Sequence, residues 1–248
     1  MLHLPTLFLV AFVAHASAAC TREQLTAATA DLLKAQTAGT LSGAASFAPS
    51  IKYTENRKTV NITKGILSQP LVIAHNRSQH DISQCAAFSE FIITNPSKPY
   101  VLATQLRLDN ATQKVAQIDT IATTKGDWLF NVTGTYYWAS RESWTPIPAT
   151  KRDTREAIKA AADAYCDIFN DKNVKVSWGT PCARLEGGAY TGKGEASDRC
   201  DVGIPSGVKL VNRQYVIDEE YGTVDFRLEG GKIRYVHTLS SCGGKSCM

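Results

Sequence analysis

The sequence TREQLTAA at residues 21–28 returns as TREAIKAA at residues 154–161. A second match follows in the same order, because RLD at residues 107–109 with KV at 114–115 returns as RLE at 227–229 with KI at 232–233. The strand that follows also matches, since IDTI at 118–121 corresponds to VHTL at 236–239. The repeat predicts two copies of one small helix-plus-sheet unit. Chance similarity between two alanine-rich amphipathic helices is the alternative, and two matches in series count against it.

The two matches are unequally spaced. The helix motif returns after 133 residues, from Thr21 to Thr154, whereas the hairpin returns after 120 residues, from Arg107 to Arg227. The second copy is therefore 13 residues shorter between its helix and its hairpin. A proline pair at residues 146 and 148 marks the junction. We predict a first unit at residues 20–148 and a second, shortened unit at residues 149–248.

Both helices have a start signal. Thr21 with Gln24 and Asp153 with Glu156 fit a capping box, and the second helix is expected over about residues 154–170. Runs rich in β-branched and aromatic residues predict strands at residues 51–55, 60–67, 88–94, 100–108, 115–123, 128–132, 174–178, 209–217, 223–228 and 232–240. Strands that come in runs joined by turns, each run preceded by a helix, indicate the α+β class.

The N-terminal segment predicts a secretory signal peptide at residues 1–19. Residues 7–13 are apolar and residues 16–19 have small side chains, so we expect cleavage before Cys20. The apolar run is too short to cross a bilayer, which takes roughly 20 residues. A bacterial lipoprotein anchored at Cys20 is the alternative, but the basic start that it requires is missing. We predict a secreted chain that has no membrane contact after signal removal.

Four glycosylation sequons follow the signal, at Asn61, Asn76, Asn110 and Asn131. Asn110 falls in the predicted turn of the first hairpin, where a glycan would reach solvent. Four sequons within about seventy residues, behind a signal peptide, indicate a eukaryotic secreted glycoprotein.

Seven cysteines in an oxidising compartment leave at least one without an intrachain partner. Cys166 is the odd one that we favour, because it lies on the apolar stripe of the second helix. Cys20 with Cys85, Cys182 with Cys200, and Cys242 with Cys247 are the pairs that we expect, although sequence alone does not determine the connectivity.

Neither nucleic acid nor a cofactor is an expected partner. The net charge of +4 is modest and no basic run with interleaved aromatic residues occurs. The sequence GGAYTGKG at residues 187–194 is close to a phosphate-binding loop, but Gly194 stands where the loop requires Ser or Thr. We favour a flexible loop at the rim of a pocket. His75, His80 and His237 show no metal-ligand spacing, so we expect no metal and no other cofactor.

Two stretches, WGTPCARLEGGAYTGKG at residues 178–194 and CDVGIPSGV at residues 200–208, are similar to a family of fungal secreted proteins whose domain has no assigned function. The helix-first layout and FRLEGGKIRYVHT at residues 226–238 resemble the SnoaL-like branch of the nuclear transport factor two-like superfamily. The similarity covers essentially the whole mature chain. The sequence departs from the family between Asp225 and Phe226, where relatives have a longer strand connection, and this bears on the completeness of the second pocket.

This resemblance implies two tandem SnoaL-like cone units, each a helix packed on a curved, mostly antiparallel sheet around a central pocket. Cyclases, isomerases, dehydratases and non-catalytic binders all use that shape, so it indicates the fold better than the activity.

The matched strands suggest where chemistry occurs. By period 2, one face of each carries four residues. These are Ile233, Tyr235, His237 and Leu239 in the second copy, and Val115, Gln117, Asp119 and Ile121 in the first. We predict that Asp119 lies in one pocket and His237 in the other, and that either is a catalytic acid or base when partly desolvated. The alternative is that each is simply hydrogen-bonded within its sheet.

Arg184 and Glu186 alternate with Leu185 beside Cys182. They are candidate catalytic residues, because a fixed arginine can bind a carboxylate or an enolate oxygen while a glutamate acts as the base. A surface ion pair is the alternative. We also predict that the wall of a ligand pocket includes the aromatic residues Tyr235, Trp178 and Tyr190. The alternative is that each is an ordinary core residue.

Two hypotheses of function follow. The first is a cofactor-independent isomerase, cyclase or lyase of secondary metabolism, acting on a small apolar metabolite with His237 or Asp119 as acid or base and Arg184 with Glu186 for orientation. The second is a non-catalytic secreted small-molecule-binding protein or effector. In both we expect one working pocket, in the second unit, supported by a structural first unit.

Overall fold

Two sheets and three helices make up the described chain, and the α+β class is confirmed. The computed structural model describes residues 20–224 and 226–243. The expected signal peptide at residues 1–19, Asp225 and Cys247 lie outside the described residues.

The first sheet has six strands and follows helix α1 (Arg22–Ala38). Its strands are β1 (Phe47–Glu55), β2 (Lys58–Thr59), β3 (His75–Asp81), β4 (Ala86–Ile93), β5 (Tyr100–Leu108) and β6 (Val115–Thr123). They lie in the order β2-β1-β6-β5-β4-β3, with β1 parallel to β6 and every other neighbouring pair antiparallel.

The second sheet has four strands and follows helices α2 (Val132–Ala139) and α3 (Arg155–Ile168). Its strands are β7 (Trp178–Glu186), β8 (Ala189–Tyr190), β9 (Phe226–Glu229) and β10 (Lys232–Thr238). The order β8-β7-β10-β9, with β7 parallel to β10, reproduces the order β2-β1-β6-β5 of the first sheet. Within the described part of the second sheet, β3 and β4 have no full counterpart.

Each sheet packs its own helix against one face. Leu25, Ala28 and Leu32 of α1 are fully buried against strands of the first sheet, and Ile158 of α3 is fully buried against the second. Burying an aliphatic side chain of this size contributes roughly 1.5–3 kcal/mol. The face of the first sheet opposite α1 is turned toward the second unit, where α3, β9 and β10 lie across from it.

The helix starts agree with the repeat. Thr21 caps α1 in a complete capping box with Gln24. The cap of α3 is Thr154, whose side chain accepts from the amide of Ala157, so the expectation that Asp153 caps this helix was wrong by one residue. Thr154 is the residue that the repeat aligns with Thr21.

Several expected strands are absent from the described chain. Residues 60–67 form turns that lead into a short 3-10 helix, residues 128–131 precede α2, which begins at Val132, and residues 174–177 and 209–217 have no regular strand. Conversely, β3 was not anticipated because its sequence HNRSQHD is polar throughout. The short strand β8 lies in the stretch 187–194 that was expected to be a flexible loop.

The two closing hairpins share a β-bulge. The partners are Arg107 with Gln117 and Leu108 with Val115 in the first hairpin, and Arg227 with Tyr235 and Leu228 with Ile233 in the second. Ala116 and Arg234, which the repeat aligns, are therefore the extra residues. The bulge turns Ile233 and Val236 toward α3 and Tyr235 and His237 toward the opposite side, so the prediction that Ile233 shares a face with His237 was wrong.

Equivalent bridges show where the second unit is shorter. They are Asp81 with Ala86 and Ala86 with Arg107 in the first unit, and Asp218 with Thr223 and Thr223 with Arg227 in the second. Asp218 lies 137 residues after Asp81, whereas Arg227 lies 120 after Arg107, so the second unit is 17 residues shorter between these points. The missing residues correspond to the far parts of β4 and β5. In the sequence they would fall next to Asp225, where the chain was expected to differ from the family that it resembles.

Reciprocal ion pairs join the two units. Arg22 donates to both carboxylate oxygens of Asp218, at 3.0 and 2.6 Å, and Arg155 donates to both of Asp81, at 2.7 Å each. The repeat aligns the two arginines, and both aspartates are fully buried. The amide that precedes each aspartate donates to the other aspartate. The two units therefore exchange equivalent contacts across a pseudo-two-fold axis.

Two of the expected disulfides are confirmed. Cys20 is bonded to Cys85 and Cys182 to Cys200, with Cα separations of 5.3 and 5.2 Å. Cys166 is half-buried on α3 and packs against the second core. The proposed partner of Cys242, Cys247, lies outside the described residues. Within residues 20–224 and 226–243, no helix is both long and apolar enough to cross a membrane.

Candidate functional site

A cavity of about 320 Å³ lies between the facing sides of the two units. This volume is at the small end of the roughly 300–1,000 Å³ that is usual for ligand sites. Strands β1 and β3 to β6 line it from the first unit, and α3, β9 and β10 line it from the second. Its apolar surface includes Phe88, Ala103, Ile121, Ala162, Val224 and Phe226.

Asp119 and His237 line this same cavity. The prediction that they occupy separate pockets was therefore wrong, and the site is shared between the units and not confined to the second one. The sequence comparison treated each unit alone, whereas the pseudo-two-fold arrangement turns the two equivalent strands toward a common space.

The shorter second unit explains why the two equivalent positions differ. His237 is covered by Glu90, which extends from β4 of the first unit. The residues of the second unit that would cover Asp119 in the same way fall within the 17 that are missing. Asp119 therefore faces open cavity where His237 meets a carboxylate.

His237 lies between two carboxylates. Its Nδ1 is 2.7 Å from Oε2 of Glu90, and its Nε2 is 2.6 Å from Oε2 of Glu142, which follows α2. The three side chains are between 2% and 4% exposed. Arg77 on β3 also pairs with Glu90, with its Nη2 2.8 Å from the same oxygen, Oε2.

The charges of this cluster set the protonation of His237. Burial alone lowers the pKa of His237, but the charges and hydrogen bonds of Glu90 and Glu142 raise it to about 9. Burial also acts to raise the pKa of Glu90, yet His237 and Arg77 outweigh it and hold that pKa well below its usual range. At neutral pH both ring nitrogens carry protons and donate them to carboxylates. The ring therefore has no free lone pair, and the geometry does not support His237 as a general base.

We expect a titration of the histidine rings to separate His237 from the other two histidines that follow residue 19. Its ring should titrate near pH 9, whereas His75 and His80, whose pKa values are lowered from 6.5 chiefly by burial, should titrate below pH 6.5. NMR of the ring carbons against pH measures all three together, and His237→Gln assigns the signal. Three curves with midpoints near 6.5 would refute the cluster.

Asp119 is the polar group best placed for a ligand. Thr54 Oγ1 donates to one of its oxygens at 2.6 Å, and Gln117 Nε2 donates to the other at 2.5 Å. Both donors are neutral, and no cation within the described residues forms an ion pair with Asp119. It is also the one carboxylate among the described residues that line the cavity. It can accept a proton or a hydrogen bond from a bound molecule.

Arg184 and Glu186 do not reach the cavity. Arg184 Nη1 donates to Glu186 Oε1 at 2.7 Å, and its Nη2 donates to the carbonyl of Val202. Their side chains are 1% and 12% exposed, so the alternative of a surface ion pair was wrong. Neither is among the described residues that line the cavity, and a substrate-orienting role there is not supported. In the first unit Tyr53 and Glu55 hold the equivalent positions, also hydrogen-bonded to each other.

The three aromatic candidates also lie elsewhere. Among the described residues, the cavity lining includes none of Tyr235, Trp178 and Tyr190. Tyr190 stacks on Trp138 at 4.0 Å, Trp178 packs against Tyr165, and Tyr235 packs against Trp144. These are core contacts, as the alternative interpretation held.

The glycine-rich stretch at residues 187–194 is packed and not a pocket rim. A Cβ on Gly188 would lie 2.2 Å from the carbonyl oxygen of Asn131. The amides of Lys193 and Gly194 donate to Asp198, so a carboxylate of the chain itself occupies the end that resembled a phosphate loop. Residues 20–224 and 226–243 contain no group of three or more His, Cys, Asp or Glu side chains arranged to hold a metal ion.

Sequence reasoning did not find Glu90, Glu142 and Arg77. Glu90 and Arg77 lie on strands whose polar residues gave no periodic signal, and Glu142 lies in an irregular segment. A glutamate at residue 90 inside the apolar run FSEFII was the one available sign, because a buried carboxylate requires a partner.

A family model described as a domain of unknown function (DUF8021) matches residues 151–228. The match includes α3, β7 and β8 and ends within β9. Of the stretches that carry the sequence resemblance, those at residues 178–194 and 200–208 fall inside the match, and the one at residues 226–238 extends beyond it. Comparison with curated proteins and with solved structures found no match.

Proposed function

We propose that the protein binds a small, largely apolar molecule in the cavity between its two sheets. The observation that carries this proposal is the cavity itself, which combines a mostly apolar lining with a few polar side chains, among them Asp119. Sites of this composition are the usual form of small-molecule sites. Arg184 and Glu186 do not line the cavity, and His237 is already protonated at neutral pH and cannot act there as a base.

Filling the cavity should abolish this binding. Ala103 lines the cavity, so Ala103→Phe should place a ring inside it and reduce ligand-induced thermal stabilisation to near zero. A ligand at 100 times its Kd stabilises the native state by about 2.7 kcal/mol, which a thermal-shift assay resolves well. The probe is 3-phenylpropan-1-ol, a neutral aryl alcohol of suitable size.

Ala116→Phe is the matched control, because Ala116 is half-exposed on the same sheet and is not one of the described lining residues. It should leave the thermal shift unchanged. An equal loss in both variants, or no shift in the unsubstituted protein, would count against the cavity as a binding site.

A second candidate is cofactor-independent acid–base catalysis of the isomerase, cyclase or lyase type, with Asp119 as the acid or base. The position of this carboxylate in the cavity favours it. Native mass spectrometry of the secreted protein distinguishes the two candidates. A retained ligand that returns unchanged indicates a binder, whereas a transformed ligand whose turnover stops in Asp119→Asn indicates an enzyme.

We also infer that the chain is a secreted glycoprotein of the SnoaL-like type from a fungal source. The two disulfides are typical of an oxidising compartment, and Asn61, Asn76, Asn110 and Asn131 are all exposed. The equal strand order and shared bulge of the two sheets support the tandem arrangement. N-terminal sequencing and glycosidase digestion of the secreted chain test the first inference, since a start at Cys20 and a loss of mass are expected.

A further inference from the structure

Gln105 lies beside Asp119 in the cavity. The two residues are direct partners on the neighbouring strands β5 and β6, and both line the cavity. Side chains paired in this way stand on one face of the sheet, with Cβ atoms about 4.5–5.5 Å apart. Both are half-buried, so a molecule in the cavity can reach them. They form one polar patch in a mostly apolar lining.

Arg107 determines which way the amide of Gln105 points. It is two residues further along β5, on the same face of the strand, and its Nη2 donates to Gln105 Oε1 at 3.2 Å. A guanidinium only donates, so the amide atom that it contacts is the oxygen. The amide nitrogen, Nε2, has no hydrogen-bond partner among the described residues. Gln105 therefore has a donor available for a bound molecule.

Asp119 supplies the complementary acceptor. An ionised carboxylate has about four lone-pair positions and can only accept hydrogen bonds. Thr54 and Gln117 use two of these positions, one on each oxygen. The others can accept from a bound molecule. The patch therefore offers an acceptor and a donor side by side.

A hydroxyl group matches this patch better than other common polar groups. It donates one hydrogen bond and also accepts, so it can satisfy the carboxylate of Asp119 and the amide nitrogen of Gln105 at the same time. Ether, ketone and carboxylate oxygens only accept, and an ammonium group only donates. Each of these satisfies one side of the patch and leaves the other without a partner.

The charges around the cavity also favour an uncharged ligand. Arg57 lies three residues after Thr54, the direct partner of Asp119 on β1, and it forms no ion pair within the described part of the chain. Its charge therefore offsets that of Asp119. Arg213 is paired with two aspartates of α3, and the cluster around His237 is neutral when that ring is protonated. An uncharged molecule leaves this balance undisturbed.

We propose that the ligand of the cavity is an uncharged alcohol with an apolar, aryl-sized body, whose hydroxyl group donates to Asp119 and accepts from Gln105. The apolar body packs against Phe88, Ile121 and Phe226. Asp119 and Gln105 are then the residues that determine specificity. This inference rests on the proposed binding function and names the class of ligand.

The test compares three probes of equal size by calorimetry at neutral pH. They are 3-phenylpropan-1-ol, its isomer 2-methoxyethylbenzene, which keeps an acceptor but has no donor, and 3-phenylpropan-1-amine, which is an ammonium ion at this pH. The alcohol should bind roughly 10- to 100-fold more tightly than the ether, as expected for a hydrogen bond to a charged group. It should also bind more tightly than the ammonium ion, which Arg57 repels and which cannot accept from Gln105.

Asp119→Asn should reduce the preference for the alcohol over the ether to about threefold or less. The new amide has no charge, and it can donate to an ether oxygen as well as accept from a hydroxyl group. Glu156→Gln is the matched control, because it neutralises an exposed carboxylate on α3 that is not among the described lining residues. It should retain the preference. Thermal unfolding verifies that each variant is folded.

Gln105→Glu provides an independent variant if Asp119→Asn does not fold. The new carboxylate can still accept from Arg107, but it cannot donate to a bound hydroxyl group, and it adds a negative charge beside Asp119. The preference should therefore move from the alcohol to the ammonium ion.

The outcomes separate this inference from the proposed function. Equal affinity for alcohol and ether in the unsubstituted protein, or tighter binding of the ammonium ion, overturns this inference and leaves the proposed function standing. A preference for the alcohol over the ether that persists in Asp119→Asn overturns the role of Asp119, and a preference for the alcohol over the ammonium ion that persists in Gln105→Glu overturns the role of Gln105. If none of the probes binds, the proposed function fails, and this inference fails with it.

Discussion

Asp218→Asn is expected to lower the free energy of unfolding by roughly 3–5 kcal/mol, the usual effect of removing one partner from a buried ion pair. Asp218 is fully buried and accepts from both terminal nitrogens of Arg22 and from the amides of His80 and Glu220. An asparagine can accept through one oxygen only, and it leaves the guanidinium with only the more exposed Glu220, whose Oε2 lies 3.3 Å from Nε, as a counter-charge. Urea unfolding followed by circular dichroism measures the change.

The control is Asp201→Asn, which removes an ion pair with Arg199 on the surface. Exposed pairs contribute roughly 0–1 kcal/mol, so this variant should have almost the same free energy of unfolding as the unsubstituted protein. The pseudo-two-fold axis further requires that Asp81→Ala, which breaks the equivalent pair with Arg155, has a similar large effect. Alanine is used there because asparagine at this position would create a sequon with Ile82 and Ser83. Losses below about 1 kcal/mol at Asp218 and Asp81 would show that the reciprocal pairs do not hold the units together.

The repeat predicted more of the fold than of the site. The copies share their register down to the bulge at Ala116 and Arg234, and the matched motifs were enough to anticipate the two helices and the closing hairpins, although the cap of the second helix was placed one residue early. The bulge itself could not be anticipated, since period 2 assumes an uninterrupted strand. That one extra residue moved Val115 and Ile233 into the helix cores and away from Asp119 and His237.

The contacts between units were beyond sequence reasoning because they depend on how the copies are placed. One sign was present. Arg22 and Arg155 occupy the first position of their helices, where the helix dipole disfavours a cation. The same unfavourable residue in both copies indicates a specific partner elsewhere, and the buried aspartates of the opposite units are those partners.

The asymmetry between the copies has a physical consequence for function. The first unit has β4 in full, and Glu90 on that strand covers His237 on β10 of the second unit. The buried charges around His237, including Glu90 and Arg77, then balance in a closed cluster. Where the second unit is shorter, nothing equivalent covers Asp119 within the described chain, and cavity remains. A duplication that retained both hairpins would close both ends in the same way. The second unit is 17 residues shorter between its equivalent bridges, and the cavity is open at Asp119 for this reason.

Glu90→Gln is expected to destabilise the protein by roughly 3–5 kcal/mol at pH 6, and by less at pH 10. Glu90 faces His237 and Arg77, and the substitution removes the charge that both require. The folded-state pKa of His237, about 9, lies above the ordinary 6.5, so its stabilisation is fully present below pH 6.5 and is lost as the pH rises through 9. The pKa of Glu90 is depressed, so its own stabilisation is present above about pH 4.5 and is lost only in acid.

At pH 6 both groups contribute, and the variant loses the whole interaction. At pH 10 His237 is neutral in the folded and unfolded states alike, so only the loss at Arg77 remains. Urea unfolding of the unsubstituted protein and of the variant at the two pH values measures this difference. Groups that titrate in the same way in the two proteins cancel in the comparison. Lys34→Met, which removes a mostly exposed cation 3.9 Å from Asp31, is the control and should change stability by less than about 1 kcal/mol at either pH. The same destabilisation by Glu90→Gln at pH 6 and pH 10 would mean that His237 is not held as a cation by Glu90.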